Sequence, residues 1–351
     1  MKRRESIEPA AVPSGGLRGS PPPRSRSCAP APVRAPRQLS TRPPPTPEVP
    51  NVPYVLVLGT AQDGGFPQLG CTEPPCVAAR ANPALRRHVT SILLADPQSG
   101  RRWLFDASPD LAEQIELARG HPPTRRETGH RPPPFDGVFL THAHIGHYLG
   151  LAQLGREVYG VRGQPVHATP RLCEFLRANG PWSLLVADGA IELRELPPGG
   201  SIELAPDLRV ETVRVPHRDE FSDTVAFVIR GPERSVAYLP DIDKWERWDV
   251  RLEDFLAGVD LAFVDGTFHA DGEVPGRSMA EIPHPFVRET IARLASAPAE
   301  LRAKVVFTHL NHTHPAALPG SAAEREIRAA GMRVAREGEI VPLGTVTKAT
   351  R

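Results

Sequence analysis

A group of three histidines places the tightest constraint on what this chain can fold into. The stretch FLTHAHIGHYLGL (139–151) places His142, His144 and His147 directly after the apolar run DGVFL (136–140), which is typical of a short buried strand. Apolar residues at helical spacing follow, so the histidines lie where a strand ends and a helix begins. Neutral imidazole is the commonest metal ligand, and three convergent rings can hold a zinc-like ion with one position left for water. The spacing T-H-x-H-x-x-H therefore predicts a metal site.

Composition limits the class of protein. The chain has 351 residues, of which 40% are hydrophobic and 24% charged, as in an ordinary globular protein. The net charge of +1 argues against general binding of nucleic acid, and the sequence lacks the apolar run of about 18 residues that a transmembrane helix needs. Four cysteines form no obvious disulfide framework in so long a chain, which favours a reducing, cytoplasmic compartment. We expect a small-molecule substrate and no nucleic-acid or membrane partner, and the pattern leaves the oligomeric state open.

The first fifty residues differ in kind from the rest. Residues 1–50 are rich in Pro, Arg and Ser and contain few large apolar side chains. Such a segment cannot bury enough surface to offset the entropy lost on ordering, and it lacks the apolar core of a signal peptide. We predict a disordered tail over 1–50, with a processed targeting arm as the alternative, and a single folded domain over 51–351.

Strand and helix patterns alternate within that domain. Apolar runs predict strands at 52–60, 88–96, 101–108, 136–140, 165–169, two within 201–217, then 223–231, 234–243, 259–267 and 304–310. Helical spacing predicts helices near 109–119, 170–179, 285–295 and 321–330. Interspersed strands and helices in a domain of this length indicate an α+β fold with two packed sheets and outer helices.

The remaining ligands are expected at other strand ends. His217 ends the run VRVPH, Asp241 follows SVAYLP, and His309 ends KVVFTH. A carboxylate can bridge two ions while imidazoles fill the outer positions, so Asp241 and His309 are also the candidate catalytic residues. The predicted ligand set is thus His142, His144, His147, His217, Asp241 and His309.

For several other polar residues, a role at the metal site competes with a purely structural role. Asp106, which ends the run WLFD, either orients a ligand histidine or caps the helix that begins at SPD. His269 and His284 lie in loops, where they could face a pocket, but lone loop histidines are more often found at the surface, which is the position we expect. One of His312 and His314 could support His309, and Cys173 is expected to be a packed thiol.

The order of these motifs resembles the metallo-β-lactamase superfamily. A strand ending in Asp106 is followed by THAHIGH, then by His217, Asp241 and His309. The segments VLGTAQDGGFPQLGC, VDGTF, EIPHPFVRETI and FTHLNHTHP are similar to the coenzyme PQQ synthesis protein B family and its stand-alone relatives, over roughly residues 53–316. This resemblance implies a four-layer αβ/βα sandwich with the metal at one edge of the sheets.

The chain departs from the family pattern in two places. The superfamily stretch is H-x-H-x-D-H, and Gly146 occupies the Asp position, which normally completes a second metal site. We therefore expect one tightly bound ion, zinc or alternatively iron or manganese, with the second site weak or empty. The relatives also tend to hold a structural zinc with a compact cysteine cluster, of which this chain has only Cys71 and Cys76. A closed zinc site needs two further ligands, and His88 is a remote candidate.

Three functions compete on this pattern. The leading hypothesis is a metal-dependent hydrolase whose ion lowers the pKa of a bound water, and the pattern leaves ester, lactone and phosphodiester substrates open. The globular part lacks the G-x-S-x-G and Walker motifs that would favour a serine nucleophile or P-loop chemistry. The alternative is an Fe(II)-dependent oxygenase or hydroxylase acting on a PQQ precursor, since the same ligands suit iron. The family resemblance also implies a third possibility, a PQQ carrier or transport protein.

Overall fold

Several strands of this protein are buried on both faces. The computed structural model describes residues 49–122, 131–274, 276, 278–279 and 282–346. Strand β1 (Tyr54–Gly59) and strand β10 (Ser235–Leu239) have no exposed position, which is typical of strands covered by a second layer on each side. The other strands, in chain order, are β2 Ser91–Asp96, β3 Arg101–Phe105, β4 Gly137–Phe139, β5 Gln164–Ala168, β6 Ile191–Glu195, β7 Ser201–Ala205, β8 Leu208–Arg214, β9 Val225–Arg230, β11 Leu261–Asp265, β12 Val305–Thr308, β13 Arg333–Val334 and β14 Ile340–Pro342.

Short helices connect the strands. In chain order they are α1 Pro74–Ala81, α2 Leu111–Leu117, α3 Ile145–Tyr148, α4 Pro170–Ala178, α5 Trp182–Ala187, α6 Leu252–Ala257, α7 Val287–Arg293, α8 Ala299–Arg302 and α9 Ala322–Ala329. Helix α3 continues as a 3₁₀ helix over Leu149–Leu154, so the helix predicted after the histidines is present but short. Throughout the part of the chain that the structure describes, no helix combines the length and the hydropathy needed to cross a membrane.

The strands form two seven-stranded sheets. One has the order β14-β1-β2-β3-β4-β5-β6 and the other the order β13-β12-β11-β10-β9-β8-β7. In the first sheet β3 to β6 are parallel, and in the second β10 to β13 are parallel. Parallel strands place their carboxyl ends at the same edge of a sheet, and this edge carries the predicted ligands.

Alternation along the strands divides the core into three apolar layers. In β10, Val236 and Tyr238 pack between the two sheets, whereas Ala237 and Leu239 face the helix layer formed by α6, α7 and α9. On the first sheet, Leu104 packs in the opposite outer layer with α2, α4 and α5. The layers are therefore helix, sheet, sheet, helix, which confirms the predicted αβ/βα sandwich and its α+β class.

Several elements were absent from the sequence-based prediction, among them strand β6 and helices α1, α5, α6 and α8. The edge strand β6 buries mainly Ile191 and has exposed charged positions, so its apolar signal is weak. Helix α5 packs Trp182 against Tyr148, with ring centroids 4.7 Å apart. The predicted tail over 1–50 lies outside the described residues except for its last two. Of these, Val49 packs against the core and Pro50 is buried, so the folded part begins before residue 51.

Candidate metal centre

The carboxyl ends of several strands bring the predicted ligands together. Parallel β10, β11 and β12 are followed by Asp241, by Thr267 and by His309. On the facing sheet β4 is followed by the histidine motif. Asp241, His309 and the histidine motif each follow a fully buried strand, which is how a scaffold holds functional loops in place.

Three imidazoles form the first ligand group. The distance from His142 Nε2 to His144 Nδ1 is 2.9 Å, and from His144 Nδ1 to His217 Nε2 it is 3.3 Å. Burial lowers the pKa of His142 well below its usual range and that of His217 to about 4, and it also lowers the pKa of His144. All three rings are therefore neutral near pH 7, which is the form that binds metals. Asp241 Oδ1 lies 3.6 Å from His217 Nε2, at the border of this group.

A second group lies on the other side of Asp241. Asp241 Oδ2 is 3.0 Å from His147 Nε2 and 3.2 Å from His309 Nε2. These three atoms are buried. Although Asp241 Oδ2 lies close to both nitrogens, none of the three atoms has the geometry of a hydrogen bond to any described residue. Burial would raise the pKa of Asp241, but the neighbouring His309, His147 and His142 hold it well below its usual range. Polar atoms left without partners in a dry interior are costly unless a ligand satisfies them, so this arrangement fits a bound cation.

Three of the ligand histidines are oriented through their other ring nitrogen. His147 Nδ1 donates to Asp106 Oδ2 at 2.7 Å, and Thr267 Oγ1 lies 2.9 Å from His309 Nδ1. Glu220 Oε2 lies 3.2 Å from His144 Nε2. Partners of this kind fix the ring and its tautomer in metalloproteins. The choice left open for Asp106 is therefore decided: it orients His147, while Asp110 stands at the start of α2.

His284 is a buried neighbour of the centre, and the prediction of a surface position for it is wrong. It is 6% exposed, and its Nδ1 donates to Asp265 Oδ2 at 2.6 Å. It also lies 3.8 Å from Asp241 Oδ1, and its ring centroid is 5.3 Å from that of His217. Burial lowers the pKa of His284, but Asp265 and Asp241 outweigh it and raise the pKa. Its position in a loop hid this role, because the loop folds back over the end of β11.

His269 is buried as well, which contradicts the expected surface position. Its Nε2 contacts Glu326 at 3.1 Å, and its ring lies 5.4 Å from that of His314. His314 uses its Nδ1 to accept from Ala316 N, so it supports the following 3₁₀ helix (Pro315–Ala317) rather than His309. Cys173 is fully buried, as predicted.

The two other cysteines meet a histidine from a distant part of the chain. Cys71, Cys76 and His312 bring one ligand atom each within 4.8 Å of one another, and Cys76 Sγ lies 3.6 Å from His312 Nδ1. His88 is not part of this group because its Nδ1 pairs with Glu337 at 2.9 Å. His312 is therefore the candidate third ligand for a zinc ion at the two cysteines.

The sequence-based ligand set omits Asp63, and it also omits His284, which has a ligand atom within 4.8 Å of those of His217 and Asp241. Asp63, from the Gly-rich turn after β1, places its Oδ1 3.6 Å from both His147 Nε2 and His309 Nε2. Burial would raise its pKa, but these two histidines hold it well below the usual range. A carboxylate in a Gly-rich turn directly after a buried strand is the signal that could have identified it.

Neutral imidazoles and carboxylates in this arrangement suit Zn²⁺. A four-layer αβ/βα sandwich with such residues at the edge of its sheets is the architecture of a metal-binding protein. A family model described as "Beta-lactamase superfamily domain" matches residues 101–310. Coenzyme PQQ synthesis protein B of Methylobacterium nodulans is 32% identical over 305 residues, covering 81% of this chain and 97% of that protein. The chain therefore belongs to the beta-lactamase superfamily and, within it, to the family of coenzyme PQQ synthesis protein B.

Solved structures agree with this family. The crystal structure of Zn²⁺-bound PqqB from Methylobacterium extorquens matches with a TM-score of 0.69 and 25% identity, covering 83% of this chain and all of that one. A diphosphatase from the PhnP family matches with a TM-score of 0.56 and 22% identity over 82% of this chain and 96% of that chain. At that identity the second match shows the shared fold alone.

Proposed function

We propose that this protein is a metal-dependent hydrolase acting on a small molecule in the cytoplasm. The observation that carries the proposal is the pair of ligand groups on either side of Asp241, one of three imidazoles and one containing the partnerless His147 Nε2 and His309 Nε2. An ion bound there would supply a water of lowered pKa and would polarise the substrate oxygen. Three imidazoles in the first group leave a coordination position for that water.

The residues of the chain suit proton transfer beside the ligand groups. Asp241 lies between them and can accept a hydrogen bond from an attacking water. His284 donates its Nδ1 proton to Asp265, which stabilises the imidazolium form, and in that form Nε2 carries a second proton that a leaving group would take. A histidine oriented by a carboxylate is the usual arrangement for such an acid.

The rim of the centre supports a substrate with an apolar part. Ile145, next to the ligand His144, is 56% exposed. Phe221 is 55% exposed and stacks on Phe175 at 5.1 Å, and its neighbour Glu220 contacts His144. Exposed apolar side chains grouped near a polar site commonly contact ligands.

The test is a hydrolysis assay with ester, lactone and phosphodiester substrates, on protein loaded with Zn²⁺ or Mn²⁺ and on chelator-treated protein. We expect chelator-sensitive turnover of one class. His284→Gln should keep its metal content and lower kcat about 10²–10⁴-fold, the range for loss of a general acid. Absence of turnover for all three classes in fully loaded protein would contradict the proposal.

A second candidate is an iron-dependent hydroxylase acting on a PQQ precursor. It is favoured by the relatives, which are named for PQQ synthesis, and by a ligand set of histidines and carboxylates that also suits Fe(II). Elemental analysis of protein purified without added metal separates the two. Iron, together with oxygen consumption, would support hydroxylation, whereas zinc or manganese would support hydrolysis.

A further inference from the structure

The glycine in the histidine motif faces a carboxylate from another strand end. A Cβ atom built on Gly146 would lie 2.1 Å from Asp63 Oδ1 and 2.8 Å from Asp63 Cγ. Real Cβ atoms do not approach other heavy atoms so closely. Position 146 therefore has no room for a side chain while the Asp63 carboxylate is in place.

The backbone holds Asp63 in register with the ligand histidines. Gln62 N donates to Leu310 O at 2.9 Å, and Leu310 directly follows His309. Gly65 N donates to Gln62 O at 2.8 Å and closes the turn that contains Asp63. The first bond fixes the turn against the end of β12 and the second closes the turn, so the carboxylate is positioned and does not merely reach the site from solvent.

Four separations among the ligand atoms around this point are close to those of a tetrahedral metal site. Bonds of about 2.0–2.1 Å place neighbouring ligands about 3.3–3.4 Å apart. Asp241 Oδ2 is 3.0 and 3.2 Å from the Nε2 atoms of His147 and His309, and Asp63 Oδ1 is 3.6 Å from each of them. The separations lie on both sides of the ideal value and within a few tenths of an ångström of it.

We propose that Asp63 supplies the carboxylate that position 146 lacks, so that a second ion of the Zn²⁺ class is held by Asp63, His147, Asp241 and His309. The expectation of a weak second site depended on the loss of an anionic ligand, and Asp63 restores one from a different strand end. This inference rests on the metal-dependent function proposed above, but it concerns ion binding alone.

The test counts ions in purified protein reconstituted with Zn²⁺ and dialysed extensively. Every measurement uses a Cys71→Ser, Cys76→Ser background, which removes any ion bound by the cysteine group from the count. In this background, with no further substitution, we expect close to two zinc ions per chain. Asp63→Ala should retain one ion, held by the three imidazoles. The matched control Asp249→Ala removes an exposed carboxylate elsewhere and should retain two.

A carboxylate exchange makes the test specific. Gly146→Asp alone should lower the melting temperature and bind no additional ion, because its side chain collides with Asp63. The double variant Asp63→Ala, Gly146→Asp removes the two colliding carboxylate atoms and leaves Asp63 Cα at 3.0 Å from the new Cβ. A backbone shift of a few tenths of an ångström relieves that contact, and the variant should regain the second ion.

Two ions in the variant that also carries Asp63→Ala, or one ion in the Cys71→Ser, Cys76→Ser protein with no further substitution, would overturn the proposal. So would a double variant that folds, as judged by its melting temperature, and still holds a single ion. Failure of the hydrolase assay alongside an Asp63-dependent second ion would refute the proposed function and leave this assignment standing.

Discussion

Replacing Asp106 with Asn tests whether the orientation of His147 controls metal affinity. Asp106 is fully buried and accepts hydrogen bonds from four groups. Its Oδ1 accepts from Thr141 N at 2.9 Å and from the Thr141 hydroxyl at 2.9 Å. Its Oδ2 accepts from His147 Nδ1 at 2.7 Å and from the Tyr238 hydroxyl at 3.1 Å. An Asn amide of the same shape can accept on one side only, so its NH₂ group would face the donors His147 and Tyr238.

The cost follows from the tautomer of His147. To accept from the new amide, Nδ1 must lose its proton, and the proton then sits on Nε2, where it points at the metal position. Loss of an orienting partner of this kind lowers metal affinity about 10–100-fold. That loss corresponds to about 1.4–2.8 kcal/mol. The imidazole group of His142, His144 and His217 should bind its ion with little change, because none of these rings contacts Asp106.

The assay is a titration of metal-free protein with Zn²⁺ against a chelating indicator, combined with thermal unfolding. The control Asp136→Asn changes a half-buried carboxylate that accepts from Arg102 N at 2.9 Å at the opposite end of β4. It should lower stability without weakening either zinc affinity. Unchanged affinities in Asp106→Asn, or an equal loss at both ion sites, would refute the reasoning.

Three further predictions use other parts of the chain. His142→Ala should abolish binding of the ion held by the three imidazoles and abolish activity while the fold remains, as judged by near-ultraviolet circular dichroism; full activity would show that the ligand assignment is wrong. Deleting residues 1–46 should leave metal content and melting temperature unchanged, because the composition of that segment offers little surface to bury; a clear drop in either would mean that it packs on the domain. The ion pair with Glu337 raises the pKa of His88 against the lowering by burial, with Asp110 and Glu113 adding to the rise. Its stabilisation is complete below the unfolded pKa of about 6.5 and is lost as pH rises through the folded pKa, so His88→Gln should cost more melting temperature at pH 5.5 than at pH 9, and an equal cost at both would contradict it.

The amino-acid sequence alone predicts the fold class, and it predicts most of the residues that the structure brings together at the candidate metal centre. Apolar runs that end in His or Asp identify buried strands with polar ends, and strand ends at one edge of a sheet must lie close together. For this reason His142, His217, Asp241 and His309 could be predicted without coordinates. The pattern THAHIGH also predicts that His142, His144 and His147 lie together, because the local backbone sets the distances between residues so near in sequence.

Contacts between residues far apart along the chain could be identified only from the three-dimensional structure. Asp63 and Gly146 lie in segments with no shared periodicity, and nothing local shows that one side chain fills the space of the other. His284 and His312 are loop residues whose surroundings depend on which strands are neighbours in the sheet. Periodicity reports the face on which a residue lies, whereas the identity of its partners depends on how the two sheets and their connecting loops pack together.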